Sequence, residues 1–270
     1  MLALFVALAL ALVAIGNPNP RYPLAELPLH VLLIQNWGFT DHLRWNDPAW
    51  SISTEFAAYL VFPVIAAAAR WERVSAAALL AIAAVLCAGI AVMFAMAGTG
   101  SLGEHIVTLG LWRCLAEFSL GIVACLLWRK WHGKPRAAAW AALACAAIFA
   151  AGLGFGLPET MFVPAVFFTA ILALSLDQGA VSRIFSARVA VYLGEISYST
   201  YLAHFLLWIV FKMAFVGPDL QIGWTGLAGY FAVVAAASVM LYHGVEKPAQ
   251  AWLNARRPRW AHAPRLAAAE

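Results

Sequence analysis

Three features of this chain predict an all-α membrane protein of about eight transmembrane helices. It is 64% hydrophobic and only 11% charged, against about 25% charged residues in a soluble domain. Its apolar residues fall in runs near the length that crosses a bilayer, about twenty residues with a range of roughly 17–25. Its basic residues gather in every second connection between those runs.

Taken in order, the runs lie near 1–16, 51–69, 74–97, 105–128, 137–156, 160–176, 190–213 and 225–244. The first and sixth are the shortest. The first sixteen residues lack a basic leading segment and a small-x-small cleavage site, so they read as a membrane helix and not as a signal peptide. Segment 29–35 is mostly apolar but too short to cross, and is expected to lie at the interface or fold back. Alanine-rich stretches such as Ala66–Ala69 and Ala137–Ala147 suit membrane helices that approach closely. A single membrane domain over 1–270 is expected, with a long connection at 17–50 and a tail at 245–270.

Charge placement sets the expected orientation. Arg70 and Arg73 follow the second run. Arg129, Lys130, Lys134 and Arg136 follow the fourth, Arg183 and Arg188 the sixth, and Lys247, Arg256, Arg257, Arg259 and Arg265 the eighth. The connections 98–104, 157–159 and 214–224 hold no basic residue. The positive-inside rule then puts both termini in the cytoplasm and makes 17–50 extracytoplasmic. The formal charge of +4 is dispersed among short juxtamembrane connections, which excludes a nucleic-acid surface. Cys87, Cys114, Cys125 and Cys145 sit in apolar runs without paired spacing and read as small buried hydrophobes. No His, Cys or Asp cluster has metal-ligand spacing.

Four stretches carry polar groups into or beside the apolar runs. In the first, Asn46 to Pro63, a polar loop enters a helix. Ser51 and Ser53 are expected as N-caps, with Glu55 in the first turn, favoured by the helix dipole. Glu55 is either an ornament of that capped turn or a functional acid, the default for an ionisable group entering a membrane. In the second, Arg113 and Glu117 are four residues apart and share a helix face. They form either a structural ion pair or a substrate site, where the planar guanidinium would suit a phosphate. In the third, Leu193 to His204, the residues Ser197, Tyr201 and His204 share one face. His204 is either a hydrogen-bonded packing group or a proton carrier near neutral pH. The fourth is Glu246-Lys247-Pro248 at the end of the last run, where Glu246 is expected at the interface.

These stretches carry a resemblance. Asn46, Trp50, Ser51, Ser53, Glu55, Tyr59 and Pro63 fall on an Asn-x-x-x-Trp-Ser-x-Ser-x-Glu-x-x-x-Tyr-x-x-x-Pro pattern. Arg113, Glu117, Phe118 and Gly121 fall on Arg-x-x-x-Glu-Phe-x-x-Gly. Gly194, Ser197, Tyr198, Ser199, Tyr201, Leu202 and His204 match a Gly-x-Ile-Ser-Tyr-Ser-x-Tyr-Leu-x-His segment. Together these resemble the type-3 acyltransferase family of bacterial inner-membrane O-acyltransferases. The resemblance implies the last eight helices of a ten-helix bundle. It implies transfer of an acyl group, most often acetyl, from a cytoplasmic acyl-CoA to a hydroxyl of an extracytoplasmic glycan or related acceptor, within membrane lipid and with no bound cofactor. Glu55 and His204 would be the catalytic groups. Asn46, Trp50, Ser51, Ser53, Tyr59, Arg113, Glu117, Ser197, Tyr198 and Tyr201 would bind substrate.

The family's catalytic His lies on its first membrane helix, eleven residues after an Arg, and no such pair occurs on an apolar helix here. An N-terminal truncation that removes two leading helices is therefore expected. Two rival readings remain at this stage. One is a permease for a glycan or lipid-linked substrate, since intramembrane Arg, Glu and His also mark transport paths. The other is a membrane subunit that kept the scaffold and lost the chemistry. Under the acyltransferase reading Glu55, Arg113, Glu117 and His204 are expected to converge on one interior chamber.

Overall fold

The computed structural model describes residues 2–14, 16, 19–134, 136–217 and 221–256. Eleven α-helices follow one another among these residues: α1 Leu2–Ala14, α2 Leu27–Val31, α3 Trp50–Ala68, α4 Ala76–Met96, α5 Ile106–Trp131, α6 Ala137–Gly154, α7 Glu159–Leu176, α8 Ala180–Phe185, α9 Arg188–Phe215, α10 Trp224–Leu241 and α11 Lys247–Ala255. No strand occurs among them. Seven helical segments are long and apolar enough to cross a membrane, the last running through from Trp224 to Ala255. The all-α membrane fold is therefore as the composition predicts. The first run forms a helix of 13 described residues, about 20 Å long at 1.5 Å per residue, less than the ~30 Å hydrocarbon core.

Residues 2–187 make one compact unit and the chain from Arg188 makes a second. The first unit is centred on α4, α5, α6 and α7. Leu79, Ala83, Ile90 and Phe94 of α4 recur at helical spacing and meet Leu120, Val123, Ala124 and Leu127 of α5 and Phe168, Leu172 and Leu176 of α7. The start of α4 is set by Ser75, whose hydroxyl accepts from the Ala78 N–H at 3.1 Å and so satisfies an orphan donor of the first turn. The pair α6–α7 closes on Gly152, where an added Cβ would lie 2.5 Å from the Phe162 ring.

The connection 17–50 is folded. Trp45 is fully buried and lies against Tyr22 (5.6 Å between ring centroids) and His30 (6.1 Å). Tyr22 in turn meets Phe5 of α1 at 6.0 Å. Arg44 donates to the Pro20 carbonyl at 2.8 Å and Arg21 pairs with Asp47. Trp45 itself stands at φ 61°, a conformation that costs a bulky residue about 1–3 kcal/mol and that its burial offsets. Segment 29–35 does fold back, as the short helix α2 and the turn after it. There Gln35 donates to Ala49 O at 3.0 Å, the Asn36 amide N–H donates to the Ser53 hydroxyl at 3.1 Å, and the Trp37 indole donates to Ser53 O at 2.8 Å. The segment is thereby tied to the start of α3.

In the second unit, α9 packs along α10. The chain leaves α10 through a five-residue π-helical stretch, Tyr242–Glu246, and continues as α11. The tail expected from 245 is thus helical as far as Ala255. Pro248 sits at the first turn of α11, a position where its missing N–H costs nothing.

Two outcomes follow for stability. Gly152→Ala gains about 1 kcal/mol of helix propensity but drives a methyl into a ring, an overpacking cost of about 1–3 kcal/mol. A lower thermal midpoint in detergent is expected, while Gly89→Ala, with open space at its Cβ, raises it. The second outcome concerns His30, which is buried in the folded connection, with its imidazole pushed down to about 4. The folded chain then binds fewer protons than the unfolded one between about 4 and 6.5. Stability rises with pH through that window and is lost as pH falls through it. Hydrogen exchange of residues 19–50 is expected to speed up on acidification, and His30→Leu to flatten that response.

Candidate functional site

The chemistry-bearing residues of the first unit meet where α3 packs on α5. Helix α3 begins at Trp50 after a 3₁₀ turn over Asp47–Ala49, with Ala49 as its cap residue and no side-chain cap bond. This corrects the expected capping. Ser51 and Ser53 lie inside the helix. The Ser51 hydroxyl donates back to Pro48 O at 3.1 Å, and the Ser53 hydroxyl accepts from Asn36. The 3₁₀ turn carries the chain straight into the helix, so its first donors do not wait for a serine. Glu55 is correspondingly in the second turn, beyond the strong reach of the dipole.

Glu55 is half-buried and accepts from the Tyr59 hydroxyl one turn on. The Tyr59 ring stands edge-on to Phe118 of α5 at 6.2 Å, and Phe62 does the same at 5.9 Å. The first and second sequence patterns therefore touch through Phe118. Asn46 is buried beside Trp50 at the start of α3. Trp50 packs over Gly110, where any side chain would meet its ring at 3.2 Å and the Asn36 amide at 3.1 Å. Asn36 in turn donates to Ile106 O at 3.2 Å. The folded connection thus clamps the starts of α3 and α5 together.

Seven residues into α5, about 10 Å along its axis, Arg113 has two acceptors. Its Nε donates to Glu117 Oε1 at 2.9 Å and its Nη1 donates to the Leu102 carbonyl at 2.8 Å. Leu102 is itself fixed from α7. Glu159 accepts from the Leu102 N–H at 2.5 Å and from the Ser101 hydroxyl at 2.8 Å. Glu159, in a connection read from the sequence only as free of basic residues, is therefore the anchor of the loop that holds the guanidinium. Arg113 and Glu117 line a cavity of about 320 Å³ with Leu102, Gly121 and Phe167. Glu55 does not line it, so the single chamber expected for these acids is not formed within this unit.

A second cavity of about 740 Å³ lies toward the other end of α3 and α5. Phe62, Ala66, Phe118 and Leu126 form an apolar floor, and Arg70, Arg73 and Arg129 form a basic rim. Gly121 lines both cavities. Arg129 is paired with Glu72 at 3.2 Å.

In the second unit, His204 stands half-buried on α9. Its Nδ1 is 2.6 Å from the Tyr201 carbonyl. A carbonyl only accepts, so Nδ1 is the donor in this contact. Tyr230 donates to the His204 carbonyl at 3.0 Å, and the Tyr201 and His204 rings lie 5.8 Å apart. Ser197 turns its hydroxyl back to Gly194 O at 2.7 Å, while Tyr198 is exposed.

Sequence reasoning missed a ladder between α9 and the π-helical stretch. Tyr242 donates to Glu195 at 2.6 Å and Ser199 donates to Glu246 at 2.6 Å. The Tyr192 hydroxyl lies 3.1 Å from His243 Nε2. Glu246, expected at the interface, is the acceptor for an α9 hydroxyl. The signal was present: Tyr192, Glu195 and Ser199 recur at three and four residues, as do Tyr242 and Glu246.

Comparison with known proteins accords with these patterns. The chain is 32% identical over 262 residues to "Acyltransferase MdmB" of Streptomyces mycarofaciens, an alignment covering 84% of this chain and 64% of that protein. This chain thus spans less than two thirds of the length of that relative. No solved structure matches it. The family described as "Acyltransferase domain" matches residues 1–243, nearly the whole of the membrane-spanning region, and the chain belongs to that family.

Proposed function

We propose that this chain works as a multi-pass O-acyltransferase of the bacterial inner membrane, with both termini in the cytoplasm. It takes an acyl group, most often acetyl, from a cytoplasmic acyl-CoA and delivers it to a hydroxyl of an extracytoplasmic glycan or related acceptor. The observation that carries this reading is the Arg113 site. A guanidinium is held inside an apolar helix, facing a cavity, by acceptors drawn from its own helix and from a loop anchored on α7.

The two cavities support the direction of transfer. The larger one has the chemistry of an acyl-CoA site, with cationic groups for phosphates and an apolar floor for the acyl chain. Its rim lies in connections that the positive-inside rule puts in the cytoplasm. Gly121, without a side chain, stands between it and the Arg113 cavity, lining both. Acyl transfer needs a base to take the acceptor proton and donors to stabilise the developing oxyanion. Glu55, hydrogen-bonded to Tyr59, and His204, whose Nδ1 is engaged by the Tyr201 carbonyl, are the candidate bases. The Arg113 guanidinium is the candidate donor to the oxyanion. Asn46, Trp50, Ser51 and Ser53 hold the start of α3, and Ser197, Tyr198 and Tyr201 flank His204.

The test is O-acylation of a surface glycan, read by mass spectrometry in cells that carry the full gene. Arg113→Ala is expected to reduce acylation by about 10²–10³-fold, the scale for loss of one oxyanion donor. Glu159→Gln weakens the anchor of Leu102 and is expected to cost on the order of tenfold, through misplacement of the guanidinium. Full acylation by Arg113→Ala and Glu55→Ala alike would exclude both residues from the site.

A further inference from the structure

We propose that the groove between α4, α6 and α7 at the end of α5 is a binding site for one anionic phospholipid. The groove holds about 390 Å³. Its walls are apolar, with Leu80, Ala141, Ala144 and Phe168 prominent, and its mouth is formed by Trp131, Lys134 and Trp140. Of these residues only Phe168 also lines the Arg113 cavity.

Charge complementarity identifies the occupant. Four basic residues crowd positions 129–136. Two are already engaged: Arg129 pairs with the Glu72 carboxylate, and Lys130 donates to the Glu72 carbonyl at 3.0 Å. Among the described residues the ammonium of Lys134 has no hydrogen-bond or ion-pair partner, and neither do the indole N–H groups of Trp131 and Trp140. By contrast the indoles of Trp37, Trp45, Trp71 and Trp128 all donate to carbonyls. A cation and two indole donors at the mouth of an apolar slot match a phosphate attached to an acyl chain. From Ala137 to Ala144 the slot descends about 10 Å along α6, the upper part of one leaflet. Tryptophans favour the headgroup level, and basic pockets between membrane helices on the cytoplasmic side suit anionic headgroups. A zwitterionic lipid would fill the slot equally, but its headgroup ammonium offsets the phosphate charge that Lys134 meets.

Native mass spectrometry of the purified full-length protein tests this, with phosphatidylglycerol and phosphatidylcholine of identical chains offered together. The wild-type protein is expected to retain phosphatidylglycerol preferentially. Lys134→Gln, a surface change, is expected to cut that preference about fivefold, the scale for one basic group at an anionic surface, while Lys134→Arg keeps it. Ala144→Trp, which fills the slot, is expected to lose both lipids. Equal retention of the two lipids by the wild type, or an unchanged preference in Lys134→Gln, overturns the proposal. So does full displacement by glycerol phosphate, which would mark a site for free anions instead of lipid. The readout is bound lipid, so it stands or falls independently of acyl transfer.

Discussion

A guanidinium about 10 Å inside an apolar helix is the constraint to which much of the first unit answers. An unpaired charge there costs at least about 2.5–3.5 kcal/mol. Arg113 escapes that cost through Glu117 and the Leu102 carbonyl. The carbonyl is usable only because its loop is pinned from below by Glu159, the first residue of α7. Two helices and a loop are thus committed to presenting one cation to one cavity. Replacing a buried ion pair by apolar residues is often neutral or stabilising, so stability alone gives little reason to keep this one.

The second commitment is to the starts of α3 and α5. The 17–50 connection folds over a buried Trp45 and sends Gln35, Asn36 and Trp37 to the first turns of α3, with Asn36 reaching α5 as well. A mobile loop would leave Glu55 and Arg113 on helices free to slide. Here Trp50 lies against Gly110 and Phe118 against Tyr59 and Phe62, so the register of the two helices is held at both levels. The second unit uses a related device. A π-helical stretch turns Tyr242 and Glu246 toward α9, where Glu195 and Ser199 meet them.

Much of this was legible in the sequence, and the divisions follow physical lines. Hydropathy over windows of membrane length placed seven of the eight expected runs on spanning helices, the last of which continues past 244 to Ala255, because nothing in lipid competes with backbone self-satisfaction. Residue patterns singled out Arg113, Glu117 and Glu55 as candidates, because charge in an apolar run is conspicuous. Local capping was misread: Ser51 and Ser53 are good caps in isolation, but the 3₁₀ turn at Asp47–Ala49 had already started the helix. Glu159 escaped notice because its partners lie 57 and 58 residues earlier, and no periodicity spans such a separation. The length of 17–50 suggested importance, yet its aromatic core of Phe5, Tyr22, His30 and Trp45 joins residues from three separate segments.

The central claim is that the Arg113–Glu117 pair is kept for chemistry and not for stability. The double variant Arg113→Met/Glu117→Leu tests it most directly, with thermal stability in detergent and glycan O-acylation in cells measured on the same protein. A thermal midpoint at or above that of the native chain, together with loss of acylation, is the expected result. A folded double variant that acylates at the native rate would contradict the claim.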